Sequence, residues 1–286
     1  MVDVSFARPD EREEIARFMQ DVFPRAKWPL EGWRSLLARR WSHPGDIYAI
    51  TARDGGRLVG VLGLVTVERP TALGPQRTAN MTSWYILQPY RGKGIGHRMI
   101  GLAAADPKMT LTNFTSSRDA VHVLESAGLG VLDRERLIWR PQASAITGLP
   151  VHFDLAGASA GIGANDRRIL ADHAELNPTQ VAVETPDGLC TMIYSTKRKR
   201  DDYLTLEVLY IGDRDLFARH SRAIANSLLP SDGAVLSVDR RFVPAGTAAD
   251  AVEPIPVPRY YTPGRMQPEH VDYLYSEVVI LDMKMS

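Results

Sequence analysis

Between Trp84 and Gly96 an apolar strand-like run meets a turn holding three glycines, and an apolar helical pattern begins at once. The first N–H groups of such a helix have no partner within it, and they converge on one spot with the positive end of the helix dipole behind them. Glycine lets a bulky anion approach the backbone because no Cβ intervenes. Arg91 and Lys93 add positive charge beside the same spot. The pattern predicts a diphosphate-bearing ligand at residues 91–96. Gly92-Lys93-Gly94 opens no Walker sequence, and no acidic residue stands about 20 positions later on a strand end, so nucleotide-hydride chemistry is disfavoured.

Around this turn the periodicities predict the order β-α-α-β-β-β-α-β-α-β up to about Arg140. Ile15, Phe18, Met19 and Val22 share a helical face, Leu30–Trp41 gives a second helix, and Asp54-Gly55-Gly56 joins two strands as a hairpin. Three consecutive antiparallel strands followed by a βαβ unit exclude a plain doubly wound sheet. Residues 143–165, rich in Ala, Gly and Ser, read as a linker between a domain at 1–142 and a second, smaller α/β domain at 166–286. The second half repeats the α-β-β-β-α-β order without residue-level similarity, so a duplication rests on element order alone. The Pro-rich stretch Pro254–Pro263 reads as a crossing to a tail whose Val278–Leu281 run is a candidate closing strand, and Lys197–Arg200 as a solvated hairpin tip.

The run Leu87-x-Pro89-x-Arg91-Gly92-Lys93-Gly94-Ile95-Gly96 resembles the signature of the GCN5-related N-acetyltransferase (GNAT) superfamily, Arg/Gln-x-x-Gly-x-Gly/Ala. Ser117-x-x-Ala120-x-x-x-Leu124-Glu125-x-x-Gly128-Leu129 is similar to that family's second cofactor motif, Asn-x-x-Ala-x-x-x-Tyr-x-x-x-Gly-Phe. The Asp54–Gly60 segment resembles its β2–β3 hairpin, and the likeness spans about residues 3–140. The resemblance implies an α/β (α+β) GNAT fold with a central mixed, mainly antiparallel sheet for the first domain; element order alone offers a degenerate GNAT-like copy without the glycine turn as one reading of the second, smaller α/β domain. It implies a V-shaped opening between the fourth and fifth strands for acetyl-CoA. Backbone groups of Tyr85, Ile86 and Leu87 would pair with the pantetheine arm, Ser117 would donate to it, and residues Arg91, Gly92, Lys93, Gly94, Ile95 and Gly96 would carry the pyrophosphate. An unprotonated small-molecule amine, an amino sugar or amino acid, would attack the thioester directly.

Such a reaction needs a base for the ammonium and an acid for the thiolate. The strand Ala79–Leu87 carries no carboxylate. Glu68 and Asp21 are the ionisable candidates beside the expected acceptor cleft, followed by His43; each has an ordinary reading as a surface charge or turn residue. The family's frequent tyrosine falls on Leu124, which donates nothing. The thiolate leaves unassisted, or Ser116, Ser117 or Tyr85 substitutes, or the site binds without turnover. A non-catalytic CoA-binding regulator or scaffold is therefore the rival reading. O-acylation would demand a stronger base than these. Trp28, Trp33 and Trp41 read as packing, and His122 as exposed or packed.

Composition narrows the partners. With 34 basic and 34 acidic residues the chain has no net charge that would draw nucleic acid or an anionic membrane. No apolar run approaches a membrane span, the N-terminal residues lack signal-peptide order, and the single Cys190 fits a reducing compartment, so a cytoplasmic protein is expected. The seven histidines show no metal-ligand spacing, so no metal is expected. A homodimer is left open.

Overall fold

The stretch from Leu58 to Val67 is apolar at almost every position, which predicts a strand buried on both faces. A computed structural model, describing residues 1–71, 73–142, 148–158, 161–199, 203–230 and 233–285, places it in β3 (Arg57–Arg69). Val59, Leu62 and Leu64 pack to one face and Leu58, Val61 and Val65 to the other. The chain divides into two compact units. The first holds residues 1–131, 259–267 and 275–283, and the second the remaining described residues.

In the first unit β1 (Asp3–Phe6), α1 (Arg12–Val22), α2 (Leu30–Leu36), β2 (Ala49–Asp54), β3, β4 (Gln76–Ile86), α3 (Ile95–Ala103), β5 (Thr110–Asn113) and α4 (Arg118–Ser126) follow the predicted order. β1 through β4 pair antiparallel in sequence, and β5 lies parallel to β4. Helices cover both faces. Met99, Ile100 and Leu124 pack with Ile50, Leu62 and Leu111 on one side, and Ile15, Met19, Trp33 and Leu36 with Val61 and Leu58 on the other. At about 1.5–3 kcal/mol for each large apolar side chain, this double layer supplies the stability that short β1 and β5 cannot. The second predicted helix stops at Leu36 rather than reaching Trp41, where the chain turns through Arg39 at φ 62°.

The second unit contains β6 (Gly130–Trp139), β7 (Val151–His152), α5 (Leu155–Ala158), α6 (Ala164–Asp172), β8 (Thr179–Thr185), β9 (Gly188–Arg198), β10 (Leu204–Ile211), α7 (Arg214–Leu228), β11 (Ala234–Asp239) and most of β12 (Ala251–Tyr261). Its strands run antiparallel from β7 to β10, then β11 lies parallel to β10. This is the sense of pairing found in β1 to β5, so the repeat extends from element order to sheet topology. Trp139 and Phe217 meet edge to face at 5.7 Å in its core. Cys190 is fully buried there, and burial pushes its thiol up to about 12.

Four expectations change. β6, expected to close the first domain, pairs antiparallel with β11 through Trp139↔Leu236 and closes the second unit. The Pro-rich stretch is not a crossing but a strand: β12 pairs with β5 through Tyr260↔Asn113, since proline's fixed φ suits extended chain. β5 and β11 thus each gain a neighbour from the other half of the sequence. Val278–Leu281 is no strand; it belongs to α8 (Glu277–Ile280), whose first turn is capped by Ser276 Oγ accepting from Val278 N at 3.1 Å. The expected linker carries β7, α5 and the start of α6, with residues 143–147 and 159–160 outside the described residues. In the basic run, Lys199 lies 2.6 Å from the buried Glu207, while Arg200 lies outside the described residues.

A chain cut after residue 142 would leave β5 without Tyr260, which is fully buried. Its melting, followed by circular dichroism, is expected to lose the cooperative transition of the full chain; a fragment melting as sharply as the whole would contradict this pairing.

Candidate acyl-transfer cleft

β4 and β5 share a parallel ladder only from Thr78↔Thr110 to Asn80↔Thr112. Beyond it β4 carries a bulge. Val61 faces Tyr85 and Gly63 faces Thr82, so Ser83 and Trp84 together oppose Leu62, and Ser83 takes φ 49°. A bulge bends its strand and increases the local twist. Gly63 permits it, because a Cβ there would stand 2.9 Å from Thr82 Cγ2. The strands separate into a cleft of about 1080 Å³ floored by Thr82–Ile86 of β4 and by Asn113, Thr115, Ser116 and Ser117 beyond β5.

The glycine turn forms one wall. Gly92 and Gly94 have φ 72° and 73°, a region open to glycine, and a Cβ at either would meet nothing within 4 Å. Gly94 is the N-cap of α3, and no acidic residue occupies the first turn. Open space therefore lies in front of partnerless N–H groups at the positive end of the helix dipole. Tyr90 fixes the turn to the hairpin by donating to Asp54 Oδ2 at 3.0 Å, a bond that raises its phenol above the ordinary range. Arg91 folds back: its Nε donates to Ile86 O at 2.8 Å and its guanidinium lies 4.9 Å from the Tyr85 ring.

Gly96 has a different cause. It sits within α3, and a Cβ there would stand 2.7 Å from Trp84 Cζ2. The bulge turns the indole onto the helix, and only a glycine leaves room for it. Trp84 Nε1 is buried and has no hydrogen-bond partner among the described residues, which leaves a donor in the cleft unsatisfied.

The opposite wall is aromatic. Phe23 stacks on Trp33 at 5.6 Å and meets Tyr85 edge to face at 5.4 Å, and Trp28 meets Trp33 at 5.6 Å. Trp28 Nε1 donates to Leu281 O at 2.7 Å, which ties the segment after α8 to this wall and brings Leu281 and Met283 into the lining. At the floor, Thr115 Oγ1 donates to Glu277 Oε1 at 2.7 Å, and Glu277 N donates to Asn80 Oδ1 at 3.3 Å. Glu277 Oε2 is buried without a partner among the described residues. Burial raises the carboxyl from 4.5 to about 7, against the lowering effects of the Thr115 hydrogen bond and the Arg259 charge.

Residues 12–128 match the sequence model of the Acetyltransferase (GNAT) family. These residues are a GNAT acetyltransferase domain. About nine tenths of the chain also superposes on solved GNAT-type structures. A GCN5-related N-acetyltransferase from Anabaena variabilis ATCC 29413 matches with TM-score 0.54 at 10% identity, covering 91% of this chain and 72% of that one. A conserved protein of unknown function from Enterococcus faecalis V583, described as a probable N-acyltransferase, matches at 0.55 with 12% identity over 91% and 72%. A GCN5-related N-acetyltransferase from Kribbella flavida matches at 0.55 with 10% identity over 91% and 70%. At such identity the likeness establishes the fold. No curated protein matches the sequence.

Within the GNAT domain, Tyr85, Ile86, Arg91, Gly92, Gly94, Ile95, Gly96 and Ser117 line the cleft together; Leu87 and Lys93 do not. Leu87 N donates to Val59 O at 2.9 Å, so in the alternating pattern of an antiparallel strand it is Ile86 whose peptide groups face the cleft. Lys93 lies 5.4 Å from the Tyr90 ring. Asp21 is exposed on α1 and His43 in a turn, and Glu68 sits opposite Arg77 at the far end of β3; none lines the cleft. Leu124 is fully buried in the apolar layer beneath α4, and His122 lines the cleft from that helix. Sequence reasoning missed Thr115, Glu277, Leu281 and Met283. A threonine in a strand end and a glutamate 162 residues later carry no spacing signal. Among the described residues no helix is long and apolar enough to cross a membrane, and no three His, Cys, Asp or Glu side chains gather as a metal would require.

Two measurements check this geometry. Gly96→Ala is expected to destabilise the protein by about 1–3 kcal/mol in urea titration, and by much less in a Trp84→Leu background; an equal cost in both would mean Trp84 is not the obstacle. For Glu277, both folded and unfolded carboxyls are protonated below pH 4.5, and between 4.5 and 7 only the folded one keeps its proton. Stability therefore falls as pH rises through this window, by about 3 kcal/mol. Glu277→Gln should remove that component, read as the difference between wild-type and variant unfolding free energies at pH 4 and pH 8.

Proposed function

We propose that the cleft binds acetyl-CoA and that the domain transfers its acetyl group to a small-molecule amine. The observation that carries this reading is the turn at Gly92–Gly94: two left-handed glycines and a helix start face open space beside a parted strand pair. The pyrophosphate would lie against the N–H groups opening α3. The pantetheine arm would follow the Ile86 edge of β4, with Trp84 Nε1 and Ser117 available as donors. The fit is supported by a cradle that a Cβ would fill and by an orphaned indole N–H. Acetyl-CoA supplies an activated acyl carbon. The chain supplies position, by fixing that carbon at the floor where β4 and β5 part.

The acceptor would enter along Phe23, Trp28, Trp33 and Tyr85. These rings exclude water from an amine approaching the floor and suit the apolar face of a sugar ring or amino-acid side chain. A second reading, CoA binding without turnover, is favoured by the buried Leu124 at the position where the family carries tyrosine.

Acetyl-CoA near 100 Kd is expected to raise the melting temperature by roughly 5–10 °C, and Gly94→Asp, which puts a carboxylate where the anion would sit, to abolish the shift. Thiol release on a panel of amino sugars and amino acids separates the two readings: transfer gives amine-dependent release, and simple binding gives none. No thermal shift in the wild type would overturn both.

A further inference from the structure

The described cleft lining contains one carboxylate, Asp119, and it lies exposed on the first turn of α4. An ammonium arriving along the aromatic wall reaches the floor at Thr115 instead. Behind Thr115 stands Glu277, sealed from solvent by the segment after Tyr275. Thr115 is half-buried and lines the cleft, and its hydroxyl donates to Glu277 Oε1 at 2.7 Å. A hydroxyl has two acceptor lone pairs besides its donor, so Thr115 Oγ1 can accept from the cleft while it donates inward. This inference rests on the acetyl-transfer reading above.

We propose that Glu277 is the proton acceptor of the transfer reaction and that it acts through Thr115, whose hydroxyl touches the acceptor amine. The ammonium gives a proton to Thr115 Oγ1 as the Thr115 proton passes to Glu277, which leaves a neutral amine and a neutral carboxylic acid. The amine nitrogen then bonds to the thioester carbonyl carbon, the carbon–sulfur bond breaks, and the electron pair departs on sulfur. The second amine proton goes to that sulfur, so the products are an amide and a free thiol. Glu277 returns its proton to water through Thr115 once the products leave.

The groups that reach Glu277 from β4, from β12 and from the loop after β5 support this role. From β4, Asn80 Oδ1 accepts from the Glu277 backbone N–H and Asn80 Nδ2 donates to Thr112 Oγ1 at 3.2 Å, so the amide fixes the start of α8 without bearing charge. From β12, Arg259 is the charge that acts on the carboxylate, and its Nη1 donates to Phe114 O at 2.9 Å. From the loop after β5 only Thr115 reaches it, by a neutral hydroxyl. The carboxyl is thereby held near neutrality, where a base is most effective at physiological pH. Its second oxygen, left without a partner, makes the ionised form strongly basic. Glu277 is a positioning residue in contact with the reacting amine only through the hydroxyl.

The test is the pH dependence of kcat/KM for an accepted amine in the full chain, with CoA binding measured in parallel. Wild type should show an acidic limb with a midpoint near 7. Glu277→Gln and Thr115→Val should each lower kcat/KM at pH 7 by about 10²-fold and flatten that limb, while binding acetyl-CoA as the wild type does. Thr115→Ser, which keeps the hydroxyl, should restore most of the rate and the limb. The two independent variants keep the test open if Glu277→Gln folds poorly. An acidic limb preserved in Thr115→Val, or a Thr115→Ser enzyme as slow as Thr115→Val, overturns the relay while leaving acetyl transfer standing. A wild type that binds acetyl-CoA but acetylates no amine removes the transfer reading and the relay with it.

Discussion

Two parallel strands that share a ladder keep their peptide groups occupied, and a cleft between them requires that the ladder end. Here it ends at Asn80↔Thr112, and the bulge at Ser83–Trp84 makes the separation permanent. A Cβ at Gly63 would block the bulge on one side, and a Cβ at Gly96 would block the indole on the other. The freed edge of β4, the exposed start of α3 and the floor at Thr115 all follow from that parting. A site built this way is a property of backbone geometry first. Side chains refine it, which is why the glycine pattern is so legible and the catalytic groups are not.

Glu277 differs from the buried charges of the second unit. In the second, Arg241 Nη1 sits 2.7 Å from Asp239 Oδ2 and 3.1 Å from Asp133 Oδ2, with Tyr273 donating to Asp239. Each charge there has a counter-charge, which is the usual condition for keeping ions from water. Glu277 has hydrogen-bonding neighbours and a more distant arginine but no contacting counter-ion among the described residues. The fold tolerates it because burial favours the protonated, neutral carboxyl. A carboxyl that alternates between neutral and ionised states is costly in a purely structural role and useful in a proton-transferring one.

The sequence made the first half of the fold readable because its signals are local. The continuous apolar run of β3, helical spacing in α1, and the glycine turn each lie within a dozen or so residues. Gly92 and Gly94 have the positive φ and open approach expected of the turn, whereas the absence of a Cβ at Gly96 also leaves room for Trp84, which the sequence does not signal. The partner of β5 was illegible. Nothing in Tyr260-Tyr261, flanked by prolines, announces a ladder with residues about 150 positions earlier. The same holds for Glu277: a glutamate before Val278-Val279-Ile280 looks like the polar edge of a strand, and only the tertiary fold places it behind Thr115. Asp21 and Glu68, expected beside the acceptor cleft as the nearest ionisable groups, do not line it, although Val22 next to Asp21 does.

The exchange of β6 and β12 has a kinetic meaning. When residues 1–142 have left the ribosome, β5 has β4 on one side and nothing on the other, and β6 waits for a strand, β11, some 100 residues downstream. Both pairings wait for strands made late, so they are deferred until nearly the whole chain is available. Contacts of such long sequence separation slow folding and leave strand edges exposed meanwhile. In return the cleft cannot mature early: its floor and aromatic wall acquire Glu277 and Leu281 only when both halves have been made, so the shape of the cleft is coupled to synthesis of the C-terminal segment.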